Sequence, residues 1–404
     1  MKMRNEQAKR IGVVGTGFVA SGLVSNLERF SSFEVTTVLT RRELASCKGF
    51  PREDLLSNSQ DRLIESSDVV VECSGDVIQA TKIINNCIDA GLPVVTMNAE
   101  FHVTTGSYFV GRGLLTEAEG DQPGCLAALK EEAELMGFSP LVYSNVKGFL
   151  NPDPSLEDMV YWARKNDFSL EQTVNFTDGT KLQIEQALVA NGLGANLARE
   201  GMIGPTVKTL EEGTKILGEV ATEIGQPISD YVLSAEIPPG VFVVGEHGKE
   251  LRNDLRTYKM GDGPYYAILR PYHLCYFEIP KTLSRVFAGQ GKLLDNSAEP
   301  HVIVAAVAKR TLEPGTVIKR GIGSFDVRGE AVGIANHPDN VPIGLLYNAR
   351  VRNRIEPGQS LKISDVDLPD SLALNAWLEI RSRSLAAANL FSYTEENSQA
   401  PALS

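Results

Sequence analysis

The sequence predicts an α/β chain: a doubly wound parallel sheet at the N-terminus, an α+β unit in the middle and a small β-rich unit near the C-terminus. Three observations carry this. Short apolar runs alternate with helical patterns over residues 9–147, the pattern of parallel strands buried between helix layers. A glycine-rich turn joins the first run to the first helix. After residue 300, two Glu-Pro-Gly turns punctuate short strand-like segments.

In chain order, residues 11–14 read as the first strand, followed by a helix around 23–27 and a second strand at 35–39. Residues 68–73 and 93–96 are two more strands, with a helix over 77–90 between them. A helix over 125–136 leads to a strand at 140–143, expected to be the last of the first sheet. The character changes after Gly148. Helical patterns cover 155–167, 180–193 and 207–224, with Ser155 and Asp158 spaced as a capping box. Segments 240–245 and 265–279 are β-rich. A strand at 301–307 opens the third unit, and a helix over 371–390 follows it. The polar tail 392–404 has no periodicity and is expected to be disordered. The expected units are therefore 1–148, 149–299 and 300–370, with a helix and tail at 371–404.

Bulk properties narrow the function. A chain of 404 residues can build two or three cores, and 43% hydrophobic with 22% charged residues is ordinary for a globular protein. A formal net charge of -12 argues against nucleic acid as a main partner, because phosphate binding needs a basic surface. A local basic pocket for an anionic substrate stays open. Residues 1–10 are polar and lack the apolar segment of a secretory signal, and no run of apolar residues is long enough to span a membrane. The five cysteines are scattered, which fits buried free thiols in a reducing cytoplasm. A cytoplasmic homo-oligomer acting on a small molecule is the expectation.

Gly15-Thr16-Gly17-Phe18-Val19-Ala20 matches the G-x-G-x-x-G/A turn between a first strand and first helix. Gly15 permits the tight turn, Gly17 lets backbone approach a pyrophosphate, and Ala20 allows close helix–strand packing. The pyrophosphate would sit on the free N–H groups of the helix N-terminus. Residues 15–19 are thus expected to hold a nicotinamide dinucleotide on a Rossmann domain. The second strand ends Thr40-Arg41-Arg42, where an NAD site usually carries Asp or Glu. Arg41 and Arg42 suit a 2′-phosphate, which favours NADP; Glu43 keeps NAD open. Cys73, Ser74, Gly75 and Asn98 follow later strands, at the carboxyl ends where open sheets bind ligands.

These residues resemble known families. Residues 71–75 (Val-Glu-Cys-Ser-Gly) and 94–98 (Val-Val-Thr-Met-Asn) are similar to the dinucleotide domains of homoserine dehydrogenases. Residues 120–124, 146–148, 176–185, 271–274 and Glu278 resemble 1-deoxy-D-xylulose-5-phosphate reductoisomerase-like proteins. Residues 300–368 resemble a SAF domain, the β-rich module also seen at the end of sialic-acid synthases. The resemblance implies a Rossmann domain, a catalytic domain and a SAF-like module. For at least some members it implies an enzyme that isomerises a phosphorylated ketose and reduces it with NADPH, aided by a divalent metal, and it leaves the substrate open.

Reducing a carbonyl needs a cation or proton donor at the oxygen, where negative charge develops. Lys147, expected after the last strand of the first sheet, is the first candidate and Lys181 the second. Lys181 and Glu185 share a helix face at i, i+4, either as a surface ion pair or as part of a site. Asp178 and Glu185 are candidate ligands for Mg²⁺ or Mn²⁺, although no spacing here is diagnostic of a metal. Asp121 reads equally as a helix cap and as a site residue. His273 is expected in an alternating strand, and the resemblance marks it as a catalytic candidate. His102, His247, His301 and His337 have no such context. An NADPH-dependent reductase or reductoisomerase of a sugar- or polyol-derived compound leads. A homoserine-type dehydrogenase without rearrangement, and a non-catalytic NADP sensor or scaffold, are the alternatives.

Overall fold

The computed structural model describes residues 8–398. The first sheet contains β1 (Lys9–Val14), β2 (Phe33–Leu39), β3 (Leu56–Ser57), β4 (Val69–Glu72), β5 (Val94–Thr96) and β6 (Leu115–Glu117). All neighbours pair in parallel, in the order β3-β2-β1-β4-β5-β6. That is the strand order of a dinucleotide-binding Rossmann fold. Valine dominates β4 and β5, and every residue of both is buried, as parallel strands between helix layers require. The helices are α1 (Phe18–Leu27), α2 (Gln60–Ser66), α3 (Val77–Asp89) and α4 (Ala99–Thr105). The last three begin where a side chain caps the first turn: Ser59, Asp76 and Asn98.

Helix α5 (Gln122–Leu135) crosses to a second, four-stranded sheet. That sheet holds β7 (Ser139–Lys147), β8 (Ile228–Leu233), β9 (Val241–Glu246) and β10 (Tyr266–Arg270), in the order β10-β9-β7-β8. Between β7 and β8 run α6 (Leu156–Asn166), α7 (Leu170–Thr177), α8 (Thr180–Leu193) and α9 (Leu210–Ile224). Leu126 and Leu129 of α5 pack with Val189 of α8 on Tyr143, Val241 and Val243. Leu217 and Ala221 of α9 cover Val142, Val232 and Phe242 from the other side. Helices α6 and α7 form an excursion over 148–179 whose base is closed by Asn151 N–H donating to Thr177 O at 2.8 Å. Phe149, Tyr161, Trp162, Phe168 and Phe176 are exposed on it. Helices α10 (Arg252–Thr257) and α11 (Ile279–Phe287) flank β10 in sequence.

Two small antiparallel sheets follow. One pairs β11 (Val302–Ala308) with β13 (Val327–Gly333); the other orders β12 (Val317–Arg320), β14 (Tyr347–Val351) and β15 (Val366–Asp367) as β12-β14-β15. Helix α12 (Leu372–Ser398) lays Trp377 and Ile380 on Ile303 and Val332.

Four expectations need correction. The strand at 140–143 does not complete the first sheet: it is part of β7, which pairs with β8 and β9 in the second sheet. The first sheet is completed instead by β6, whose Leu-Thr-Glu is short and lacks the apolar run that marks β5. The β-rich segment 265–279 is a strand only to Arg270. Pro271 lacks a ladder donor and Cys275 takes a left-handed φ of 49°, so His273 sits in a loop. Ser155 caps α6, but the Asp158 carboxylate accepts from the Ser155 hydroxyl rather than from its backbone N–H, leaving the box half-formed. Helix α12 runs through residue 398, past the expected helix end at 390 and into the tail expected to be disordered from 392, because no Gly or Pro interrupts the chain before Pro401. Residues 1–7, expected not to be a signal, and 399–404 of the tail lie outside the described residues.

A buried ion pair ties the C-terminal β-unit to α8. Lys309 Nζ donates to Asp178 Oδ2 at 2.6 Å and to Ser324 O at 2.7 Å, with the two side chains 2% and 0% exposed. Asp178 also accepts from Thr180 N–H at 2.9 Å, so it shapes the start of α8. Burial pushes its carboxyl up, and Lys309 opposes that. Lys309→Met, which strands the carboxylate, is expected to cost about 3–5 kcal/mol by urea unfolding. Lys215→Met, which breaks an exposed pair with Glu219, is expected to cost under about 1 kcal/mol.

Candidate active site

The candidate side chains gather at the carboxyl edge of the first sheet. Strand β5 ends there, and α4 begins with Asn98 as cap and Glu100 in its first turn. Strand β6 also ends there, and Gly120 and Asp121 turn the chain into α5. Against this edge come the end of β7, with Asn145 and Lys147 on one face of the strand, and the first turns of α8, with Lys181 and Glu185 on one face of the helix. The loop after β10 adds His273.

Lys181 Nζ lies 2.9 Å from Asp121 Oδ2, 3.4 Å from Glu100 Oε2 and 3.7 Å from Glu185 Oε1. Lys147 Nζ lies 3.7 Å from Glu185 Oε2, which also accepts from Asn145 Nδ2 at 3.0 Å. Gln122 knits these groups together, its amide oriented by its neighbours. Its nitrogen donates to Asp121 Oδ1 at 2.6 Å and Glu185 Oε1 at 2.9 Å. Its oxygen accepts from Lys147 Nζ at 3.2 Å and His273 Nε2 at 3.3 Å. On the other side of the ring, His273 Nδ1 is 3.3 Å from the carbonyl oxygen of Gly120.

The electrostatics separate the roles. Burial works against the Lys181 ammonium, but Asp121, Glu100 and Glu185 outweigh it and hold the group charged well beyond the ordinary lysine range. Burial likewise works against Asp121, and Lys181 holds that carboxyl below its ordinary value. Glu185 goes the other way: burial pushes it up to about 7, although Lys147 and Lys181 oppose the rise. The cluster thus contains one fixed cation, one fixed anion and one carboxyl that exchanges its proton near neutrality.

The glycine turn faces the same sheet edge. Gly15 has a φ of +114°, and a Cβ there would meet Cys73 O at 3.0 Å. A Cβ on Gly17 would project into open space. Gly17 caps α1 with no side-chain hydrogen bond and no acidic residue in the first turn, leaving its N–H groups for an anion. Thr16 and Thr40 hydroxyls lie 3.3 Å apart, and Asn58 Nδ2 donates to the carbonyls of Thr40 and Arg42, pinning the turn after β2. Arg41 pairs with Asp76 at 2.7 Å, while the Arg42 side chain is exposed. Glu72, buried at the end of β4, accepts from Ser74 N–H and the Thr96 hydroxyl and so shapes the 73–75 turn. These residues fit a dinucleotide.

Residues 120–279 match the family model described as oxidoreductase DRL, catalytic domain. Residues 15–108 match the model described as homoserine dehydrogenase, NAD binding domain. The chain is an NAD(P)-dependent oxidoreductase. Comparison with curated proteins gives no match. Among solved structures, UDP-N-acetylglucosamine 3-dehydrogenase GnnA from Acidithiobacillus ferrooxidans is similar at 12% identity and a TM-score of 0.41, covering 71% of this chain and 91% of that one. A myo-inositol dehydrogenase-like protein from Sinorhizobium meliloti is similar at 10% identity and a TM-score of 0.39, covering 70% and 90%. Homoserine dehydrogenase of S. aureus is similar at 13% identity and a TM-score of 0.30, covering 45% and 49%. None of these likenesses bears on the substrate.

The oxidoreductase therefore brings together four of the five side chains singled out for chemistry in the sequence: Lys147, Lys181, Glu185 and His273. The fifth, Asp178, is engaged with Lys309 and the start of α8 instead. A metal on Asp178 and Glu185 does not fit, because lysines and N–H donors already occupy both carboxylates. Among the described residues, no group of three or more His, Cys, Asp or Glu side chains is placed to hold a metal ion. Glu100, Gln122 and Asn145 were missed as site residues. For Asn145 the signal was its i, i+2 spacing from Lys147 on a strand, and for Glu100 its place just past the carboxyl end of β5. Asp121 turns out to be both cap and site residue: Oδ1 accepts from Gln122 N–H, and Oδ2 takes Lys181. No helix of the described residues is long and apolar enough to cross a membrane.

Glu185 makes stability depend on pH. The folded protein keeps a proton there up to about pH 7, whereas an ordinary carboxyl loses it near 4.5. The folded state binds more protons across that window, so this group's contribution to stability falls as pH rises from 4.5 to 7 and levels off above. Glu185→Gln is expected to flatten this part of the profile in urea unfolding at pH 5 and 7.5; an unchanged slope would place the titration elsewhere.

Proposed function

We propose that the protein is an NADPH-linked reductase of a small hydroxycarbonyl compound derived from a sugar or polyol. The observation that carries this is the Lys181 ammonium held among Asp121, Glu100 and Glu185, with Lys147 on the far side of Glu185, at the sheet edge that faces the glycine turn. When bound, the nicotinamide supplies the hydride. Lys181, fixed in its charged form, stabilises negative charge growing on the substrate oxygen. Lys147 and Glu185 together hold and deliver the proton that the new hydroxyl gains, since Glu185 exchanges protons near pH 7. Gln122 and His273 orient the substrate hydroxyls through the remaining hydrogen bonds. Reduction without rearrangement of the carbon skeleton asks nothing beyond these side chains. In this reading the Rossmann unit ends near Gly120 rather than at 148, since α5 and β7 belong with the second sheet; the catalytic unit runs from there to 299, and a SAF-like module 300–370 braces α8.

The preference for NADPH rests on Arg41 and Arg42 at the end of β2, where a 2′-phosphate would lie. Titrating the purified protein with NADPH and NADH, followed by quenching of Trp and Tyr fluorescence, tests it. NADPH is expected to bind more tightly. Replacing both arginines by Ala should weaken NADPH about 10- to 100-fold and leave NADH nearly unchanged. Tighter NADH binding would overturn the assignment, and binding of neither would remove the reductase reading. With a carbonyl substrate in hand, Lys181→Met is expected to lower kcat by about 100-fold or more while NADPH binding stays intact.

A further inference from the structure

The loop that carries His273 is held from behind by a side chain that the proposed chemistry does not use. Glu278 stands at the start of α11, its carboxylate only 4% exposed. Its Oε2 accepts from the backbone N–H of Leu274, the residue after His273, at 2.7 Å, and from Cys125 Sγ of α5 at 3.7 Å. Its Oε1 accepts from Lys281 Nζ at 3.0 Å and lies 3.8 Å from Arg270 Nη1. Arg270, itself 9% exposed, continues to Glu119 at 3.0 Å and Glu132 at 2.9 Å, and Lys281 also reaches Glu119 at 2.9 Å. The network therefore grips both ends of the 271–277 loop and the residue just before Gly120.

The front of the loop is equally tight. Cys275 N–H donates to Gly120 O at 3.0 Å, the same carbonyl that faces His273 Nδ1. A Cβ on Gly120, where φ is +117°, would lie 2.0 Å from Cys275 O. Cys275 itself holds a left-handed φ of 49°, a conformation that costs a non-glycine residue about 1 kcal/mol or more and persists only where surroundings over-determine it. The carboxylate of Glu278, three residues beyond the strained corner and buried against the Leu274 N–H, supplies that determination.

We infer that Glu278 is the positioning residue for His273: by taking the Leu274 N–H and anchoring to Arg270 and Lys281, it sets the imidazole against Gly120 and Gln122. This rests on the site proposed above. Burial opposes the charge of Glu278, yet the Leu274 N–H, Lys281 and Arg270 keep its carboxyl below the ordinary value. It touches no reacting atom; it acts through the loop.

The test is NMR of the full chain labelled with ¹³C at histidine Cε1, which has five histidines to report. His273→Gln assigns the signal. Glu278→Ala is expected to move or broaden the His273 resonance while the other four stay in place. Glu278→Gln, which keeps an oxygen facing Leu274 N–H, is expected to restore it. A His273 signal unchanged in Glu278→Ala, or displaced equally in both variants, overturns the inference. If Glu278→Ala does not fold, hydrogen exchange across 271–277 in the wild-type protein decides: a protected Leu274 amide supports the tie, and exchange at the rate of an open peptide overturns it. Full turnover in His273→Gln would remove His273 from the proposed chemistry and leave the positioning result standing, so the two failures are distinguishable.

Discussion

Helix α8 is buried along almost its whole length, and the rest of the molecule is arranged around satisfying it. A buried helix is normally apolar, yet this one carries Thr180, Lys181, Gln183, Glu185, Gln186 and Asn191. Most of these polar groups find a partner, because leaving one unmatched in the interior costs about 1–3 kcal/mol; Gln186 Oε1 is the exception among them. Thr180 Oγ1 takes the N–H of Gly329 and Gln183 Oε1 that of Ala331, both on β13. Asn191 Oδ1 accepts from the N–H groups of His301 and Val302 at β11. Gln186 donates to the Tyr143 carbonyl on β7. The C-terminal β-unit and the second sheet are thereby locked to the same helix, and the face left over points at the first sheet with Lys181 and Glu185.

That geometry explains what could be read from the sequence and what could not. The run 177–185 looks like a single polar motif. On the helix it divides: residues 181 and 185 share one face and enter the site, while 178, 180 and 183 turn to the C-terminal unit and are structural. Periodicity alone could find the first pair but could not tell which polar neighbours would be consumed by packing. The glycine turn was legible because its residue types answer to backbone geometry at one place in the chain, between β1 and α1. Strand β6 was not, because Leu-Thr-Glu lacks the apolar run that marked the equally short β5. Strand β7 was legible as a strand but not as a member of the second sheet, because pairing partners are a tertiary fact. Glu100 was hidden on α4, a helix of two turns, and Gln122 beside a proline that reads first as a helix start.

Several carboxyl groups and two lysines crowd into the site under conditions where charge is expensive. Isolated, Glu100, Asp121 and Glu185 would repel one another. Lys181 among them and Lys147 beside Glu185 offset that, but burial still tips Glu185 toward its neutral form. A cluster built only for stability would not need this arrangement. Its poised carboxyl between two ammonium groups is the kind of imbalance that acid–base chemistry uses.

The excursion of α6 and α7 has an evolutionary corollary. It leaves the body of the protein directly after Lys147 and returns directly before Lys181, and one backbone hydrogen bond between residues 151 and 177 closes its neck. The two lysines are thus anchored outside the excursion, one in a sheet and one in a buried helix. The distal part of the segment can change its exposed aromatic side chains without moving either ammonium group, while Asn175, which donates to Glu100 at 3.4 Å, and Asp178, which pairs with Lys309, stay tied to the body. Variation in that distal part and the placement of the two lysines are separable, so a lineage could exchange what the excursion meets while inheriting the same pair of ammonium groups intact.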